Sequence, residues 1–101
     1  MPNKAYWIAA IEVADAEKYQ SYVAMVGGIL AKYRGRFLVR GGACEVVEGS
    51  VRPRVVVIEF PDRATAEKCY RSPEYSAAKA IRNSASMGDV VIVEGYAAVQ
   101  P

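Results

Sequence analysis

The segment that most constrains the fold of this chain is residues 54–60, which read Arg-Val-Val-Val-Ile-Glu-Phe. It is the strongest strand signal in the chain, because β-branched side chains pack well on a pleated sheet. A turn over residues 49–53 precedes it, and an extended stretch over residues 36–48, bent at Gly41-Gly42, precedes the turn. These two extended segments are therefore predicted to pair as a hairpin.

Two further strands and two helical regions are predicted around this hairpin. Alternation of large and small side chains indicates the first strand, and apolar residues three and four apart indicate the helix that follows it, capped by Asp15. The predicted elements are residues 4–13 (strand), 15–33 (helix), 63–71 and 73–86 (one helical region in two parts) and 90–97 (strand). Asp62 and Ser72 are predicted to cap the two helical parts, and Gly88-Asp89 to end the second. This order predicts an α+β, ferredoxin-like βαββαβ fold, a four-stranded antiparallel sheet with the helices on one face.

Composition limits the class of protein. With 101 residues the chain has room for a single domain, spanning residues 1–101. Its 13 basic and 11 acidic residues are spread along the chain, so no nucleic acid partner is expected. No apolar run is long enough to span a membrane, so no membrane partner is expected. The first residues lack a signal peptide's apolar region, so a cytoplasmic location is expected.

The usual metal and haem ligands are missing from the sequence. The chain has no histidine, and its two cysteines, Cys44 and Cys69, are 25 positions apart (69 − 44). Zinc and haem sites are built mainly from such residues, so no metal or cofactor is predicted, and a metal held only by carboxylates is the weaker alternative. In a chain that is not exported, both cysteines are expected to be reduced.

Alternate residues of a strand point to opposite faces of the sheet, which divides the strand residues into two sets. The set expected under the helices carries no charge and comprises Trp7, Ala9, Ile11, Val13, Phe37, Val39, Val56, Ile58, Phe60, Val91 and Val93. The opposite set is Tyr6, Ile8, Ala10, Glu12, Leu38, Arg40, Val55, Val57, Glu59, Val90, Ile92, Glu94 and Tyr96. Its apolar middle exceeds what a monomer usually exposes, which predicts a homodimer through this face.

Several motifs in order resemble one known family. They are Tyr33-Arg-Gly-Arg-Phe-Leu-Val-Arg-Gly-Gly, Glu45-Val-Val-Glu-Gly, Pro53-Arg-Val-Val-Val-Ile-Glu-Phe-Pro, Tyr70-Arg-Ser-Pro-Glu-Tyr and Arg82. Together they closely resemble the family called domain of unknown function 1330. The resemblance implies a dimeric α+β barrel, in a superfamily that includes cofactor-free monooxygenases, muconolactone isomerases and haem-handling enzymes. The haem branch needs an axial ligand, usually histidine, which this chain lacks.

The charged residues beside the glycine pair are the candidate site. Arg40, Gly41, Gly42 and Arg82 are the candidate ligand-binding residues, because a guanidinium suits a carboxylate or enolate. Glu59, expected on the same face as Arg40, and Tyr75 are the candidate catalytic residues. The alternative interpretation makes Arg40 and Glu59 an ion pair that only sets the register of the dimer.

Two classes of function stay open at this point. In the first, the protein binds a small anionic or aromatic organic molecule, and could act on it as a cofactor-independent monooxygenase or isomerase. In the second, it is a non-catalytic structural or stress-associated dimer whose charges serve assembly. No nucleophile elbow, phosphate loop or dinucleotide fingerprint is present to decide between them.

Overall fold

A computed structural model describes residues 3–101. Its elements in chain order are β1 (Ala5–Val13), α1 (Ala16–Lys32), β2 (Arg36–Arg40), β3 (Arg54–Phe60), α2 (Arg63–Tyr70), α3 (Pro73–Ala85) and β4 (Ser86–Glu94). The strands form one antiparallel sheet in the order β2-β3-β1-β4. The α+β, ferredoxin-like prediction is therefore confirmed, with the second helical region divided between α2 and α3.

Each helix begins at the cap that the sequence predicts. The side chain of Asp15 accepts a hydrogen bond from the Lys18 amide at 3.0 Å, and that of Asp62 accepts one from the Thr65 amide at 2.7 Å. Ser72 caps α3 in the same way, ahead of a proline at the first helical position. These bonds satisfy amide donors that have no partner inside a helix, which fixes where each helix starts.

The core lies between the three helices and one face of the sheet. Its largest side chains from the sheet are Trp7 and Phe60, whose ring centroids are 5.0 Å apart. Trp7 also donates its indole hydrogen to the Ala66 carbonyl of α2 at 3.0 Å, which ties the sheet to that helix. Within residues 3–101, no helix has both the length and the apolar character needed to cross a membrane.

The second strand is shorter than predicted. It ends at Arg40, and residues 41–51 are exposed and form no strand, so the predicted continuation to residue 48 is wrong. Phe37 pairs with Ile58 while Val39 pairs with Val57, which leaves Leu38 as an extra residue in a β-bulge. A bulge shifts the alternation by one residue, and the side chain of Arg40 therefore moves to the face that the helices cover.

The last strand is longer than predicted, and its side chains lie on the opposite faces of the sheet from those predicted. It begins at Ser86, directly after α3, and passes through Gly88, where a helix break was expected. A β-carbon at Gly88 would collide with Ile11 on the neighbouring strand, so glycine permits close pairing there. Val90 and Ile92 pair with Ala9 and Trp7 and face the core, whereas Val91 and Val93 lie on the open face. The predicted assignment of these β4 residues to faces is wrong.

The glycine pair in α1 does not mark a close neighbour. The helix runs unbroken through Gly27 and Gly28, and a β-carbon at either position would have no atom of the described residues within 4 Å. Both cysteines are free, with Cys44 exposed and Cys69 buried.

Candidate functional site

A cleft opens between α1 and the helix-covered face of the sheet. Its cavity volume is about 30 Å³, within about 510 Å³ of space not filled by atoms that extends into open solvent at its mouth. Its lining is Trp7, Ala9, Ile11, Tyr19, Tyr22, Val23, Val26, Phe37, Arg40, Arg54, Val56, Ile58, Tyr75, Arg82 and Val90. The walls are thus aromatic and aliphatic, with a few polar groups, as in most small-molecule sites.

Two tyrosines and an arginine form a hydrogen-bonded chain in this cleft. The hydroxyl oxygens of Tyr22 and Tyr75 are 2.8 Å apart, and Arg82 donates from Nη1 to the Tyr75 hydroxyl at 2.7 Å. Burial raises the pKa of both tyrosines above the ordinary value, although the Arg82 charge acts in the opposite direction. Both hydroxyls therefore keep their hydrogens at neutral pH.

The bulge in β2 brings Arg40 to the cleft. Its guanidinium carbon lies 4.0 Å from the centroid of the Phe37 ring, and Nη2 approaches the Val23 carbonyl oxygen of α1 at 3.5 Å. Stacking on the aromatic ring holds the group in place and leaves hydrogen-bond donors of the guanidinium available. The structure thus places Arg40 where a ligand in the cleft can reach it.

Arg54, the first residue of β3, is the second arginine at the sheet side of the cleft. Its guanidinium carbon lies 5.4 Å from the Tyr19 ring centroid. Its Nε is buried and has no hydrogen-bond partner among residues 3–101. A buried donor without a partner is costly, about 1–3 kcal/mol, so a ligand that accepted this hydrogen bond would gain affinity.

The charged groups that line the cleft are all positive. Three guanidinium groups line it, those of Arg40, Arg54 and Arg82, and no carboxylate is among its lining residues. Within the described part of the chain, none of the three forms an ion pair. Arg82 is 8% exposed, so its charge is shielded from water and acts strongly inside the cleft. The arrangement favours a negatively charged occupant.

The structure separates the other predicted site residues. Glu59 lies on the open face of the sheet, where Lys4 and Arg36 each approach its carboxylate at 3.5 Å. Arg40 pairs in register with Val56 instead, so the predicted Arg40–Glu59 pair is wrong. The bulge is the physical reason, because it reverses the side of the sheet that Arg40 faces.

The two glycines of the predicted site differ. Gly41 has a φ of 70° and lies against the guanidinium of Arg54, where a β-carbon would collide with Nη1. Gly42 has no described atom within 4 Å of where its β-carbon would be. Of the pair, only Gly41 touches a residue of the cleft.

Two residues of the cleft were missed in the sequence analysis, Arg54 and Tyr22. Arg54 shares its strand parity with Val56 and Ile58, a signal that would have placed it on the helix-covered face. Tyr22 occupies one of the apolar positions whose spacing predicts α1, and that spacing alone cannot distinguish a core tyrosine from one that lines a cleft. Among residues 3–101 no group of three or more Cys, Asp and Glu side chains converges to hold a metal ion.

Comparison with known families identifies the family of this chain. A family model described as a domain of unknown function (DUF1330) matches residues 4–96. The chain belongs to the DUF1330 family. None of the curated proteins with which it was compared matches it.

Solved structures share the fold of this DUF1330 protein. A protein of unknown function from Rhodopseudomonas palustris is 16% identical and has a TM-score of 0.77, over 100% of this chain and 86% of that one. SnoaB, a cofactor-independent oxygenase from Streptomyces nogalater, is 13% identical with a TM-score of 0.60, over 98% and 96%. A putative antibiotic biosynthesis monooxygenase from Bacteroides thetaiotaomicron is 17% identical with a TM-score of 0.54, over 96% and 91%. At these identities the similarity establishes the fold alone.

Proposed function

We propose that this protein binds a small aromatic carboxylate or enolate in the cleft between α1 and the sheet. The observation that carries the proposal is the set of three arginines without an acidic partner, Arg40, Arg54 and Arg82, on walls that are otherwise aromatic and aliphatic. The aromatic walls suit a flat ring, and a guanidinium suits a carboxylate or enolate oxygen.

Calorimetric titration with benzoate and with its neutral isostere benzamide tests the proposal. Benzoate should bind and benzamide should bind at least about tenfold more weakly, because charge-assisted hydrogen bonds contribute about 1.5–3 kcal/mol. Trp7 is the chain's only tryptophan and lines the cleft, so quenching of its fluorescence should report the same event.

Substitution of the arginines locates the bound molecule. Arg40→Met and Arg54→Met should each weaken benzoate binding about tenfold or more. Arg36→Met is the matched control, since Arg36 lies on the same strand as Arg40 but pairs with Glu59 on the open face. Equal affinities for benzoate and benzamide, or an unchanged affinity in both cleft variants, would refute the proposal and favour a structural dimer without a ligand.

The cleft supports oxygenation better than isomerisation. An isomerase must take up a proton and return it, but no carboxylate is among the lining residues and burial raises the pKa of Tyr75. Oxygenation also removes protons from carbon but returns none to it, so an enolate that forms in water and is then held by the arginines can react with dioxygen without a base in the cleft. In such a reaction dioxygen converts a CH2 group to a carbonyl, and its second oxygen atom leaves as water with the two hydrogens.

Anthrone is a suitable probe for this chemistry, because its CH2 group lies between two aromatic rings and its enolate reacts with dioxygen. An oxygen electrode should record one dioxygen consumed for each anthraquinone formed, at a rate well above that in buffer. The rate should fall about tenfold or more in Arg40→Met and stay the same in Arg36→Met. A rate equal to that in buffer would leave the cleft as a binding site only.

We also propose that the open face of the sheet is covered by a second copy of the chain. Val39, Val57, Ile8 and Val91 lie in register across the four strands and form an apolar row. Three of the four are exposed in a single chain, by 40%, 38% and 53% for Val39, Ile8 and Val91. Sedimentation at micromolar concentration should give the mass of two chains.

A further inference from the structure

The hydrogen-bonded chain of Arg82, Tyr75 and Tyr22 has a direction. We propose that Tyr22 donates its hydroxyl hydrogen to an oxygen atom of the bound molecule, and that Arg82 and Tyr75 are positioning residues that set this direction. The inference rests on the proposed function, since it needs an organic anion in the cleft. It adds the atom that the ligand must present and the residue that binds this atom.

The direction begins at Arg82. A guanidinium has donors only, so in its 2.7 Å contact with the Tyr75 hydroxyl the tyrosine oxygen must accept. The hydrogen of Tyr75 is then free to point elsewhere. The Tyr22 oxygen lies 2.8 Å away and can accept it.

The opposite direction between the two tyrosines is less stable. If Tyr22 donated to Tyr75, the Tyr75 hydrogen would need another acceptor, and among residues 3–101 its hydroxyl has no third hydrogen-bond partner. Tyr75 is 1% exposed, so water cannot easily replace that partner, whereas Tyr22 is 8% exposed. A buried donor without an acceptor is destabilising. The free hydrogen therefore belongs on Tyr22, where the cleft can hold its acceptor.

The hydrogen-bonded series from Arg82 through Tyr75 also makes the Tyr22 hydroxyl a stronger donor. Hydrogen bonds in series polarise one another inside a protein, and this series starts at a full positive charge. Because burial raises the pKa of Tyr22, the group stays protonated and acts as a donor at neutral pH. A phenolate, enolate or carboxylate oxygen satisfies it. A group with donors only, such as an ammonium, would leave the Tyr22 hydrogen unpaired and would also face the three arginines.

The pKa of bound 4-nitrophenol measures this stabilisation directly. This phenol titrates near neutral pH, its anion absorbs visible light, and donors around its oxygen favour the anion. In the wild-type protein its pKa should fall below the value in water. Tyr22→Phe should raise the bound pKa by about one to two units, equal to about tenfold to hundredfold weaker binding of the anion.

Tyr33→Phe is the matched control. Tyr33 follows α1 directly, does not line the cleft, and its hydroxyl donates to the Glu74 carboxylate at 3.3 Å. Its substitution should leave the bound pKa unchanged. Equal values in Tyr22→Phe and Tyr33→Phe would overturn the inference, and so would a wild-type protein that does not lower the pKa.

A second variant keeps the test decisive if Tyr22→Phe does not fold, as judged by circular dichroism. Tyr75→Phe breaks the chain but keeps the Tyr22 hydroxyl, so the bound pKa should rise by less than a unit; no rise would overturn the inference. The benzoate titration separates the two proposals. If benzoate binds to the wild type and the nitrophenol pKa is unaffected, only the Tyr22 inference fails, whereas loss of both signals removes the proposed function as well.

Discussion

At the scale of single residues, one extra amino acid decides where the site is. The residue types of the site could be predicted, since Arg40, Arg82 and Tyr75 were singled out from the sequence and all three line the cleft. The residues that each of them contacts could not be predicted. Leu38 forms a bulge that no local pattern announces, and the bulge moves Arg40 away from Glu59 and towards Val23.

Gly41 offers a test of how backbone and site are linked. Gly41→Ala should lower the free energy of unfolding by about 1–2 kcal/mol, because φ is 70° there and a side chain favours negative φ. It should also weaken benzoate binding, since the new β-carbon would displace the Arg54 guanidinium. Urea unfolding followed by Trp7 fluorescence, together with calorimetry, measures both effects.

Gly42→Ala is the control for this prediction. Gly42 is not among the positive-φ residues, and a β-carbon there would meet no described atom within 4 Å. Its substitution should leave benzoate affinity unchanged and stability equal or slightly higher, because alanine reduces the entropy of the unfolded chain. If both variants behaved alike, Gly41 would have no special role in the cleft.

At the scale of elements, helix starts were predictable and strand limits were not. Asp15, Asp62 and Ser72 cap the helices through bonds to their own near neighbours, so three or four residues of sequence contain the signal. The end of β2 and the start of β4 depend on partners far along the chain. Gly88 continues a strand because β1 lies beside it, and no local pattern shows that.

The cleft illustrates the same limit for a helix. The apolar spacing of α1 predicted a buried stripe, and Tyr19, Tyr22 and Val26 are indeed buried. The spacing shows which side of the helix faces the sheet, but not whether the sheet fills the space below. That depends on the side chains opposite, where Ala9 is small and Arg54 points a charged group into the gap.

At the scale of the whole molecule, the chain is a thin slab with an uncovered side. Its Cα extents are 43 × 36 × 16 Å, which fits one sheet and one layer of helices. Four strands about 4.8 Å apart and at most about 30 Å long give a face of roughly 600 Å². A standard interface buries about 800 Å² on each partner, so the exposed residues 41–51 are expected to contribute the remainder.

Two carboxylates on this face are already paired within the chain, whereas Glu12, which also lies on it, forms no ion pair among the described residues. Glu59 already has Lys4 and Arg36 beside it, and Asp89 accepts from Arg52 at 2.7 Å. Both carboxylates would therefore enter an interface paired within their own chain.

Val91→Asp tests the dimer at the β4 end of the apolar row. Val91 is 53% exposed in a single chain, so the fold should tolerate the change, whereas a two-fold interface would bury two unpaired carboxylates. That costs several kcal/mol, which should weaken association about a hundredfold or more and give the mass of one chain by sedimentation at micromolar concentration. Ala24→Asp, on the exposed side of α1, should leave the mass of two chains. Because the cleft opens on the other face of the sheet, the Val91→Asp monomer should still bind benzoate; lost binding with intact folding would mean that the second copy completes the site.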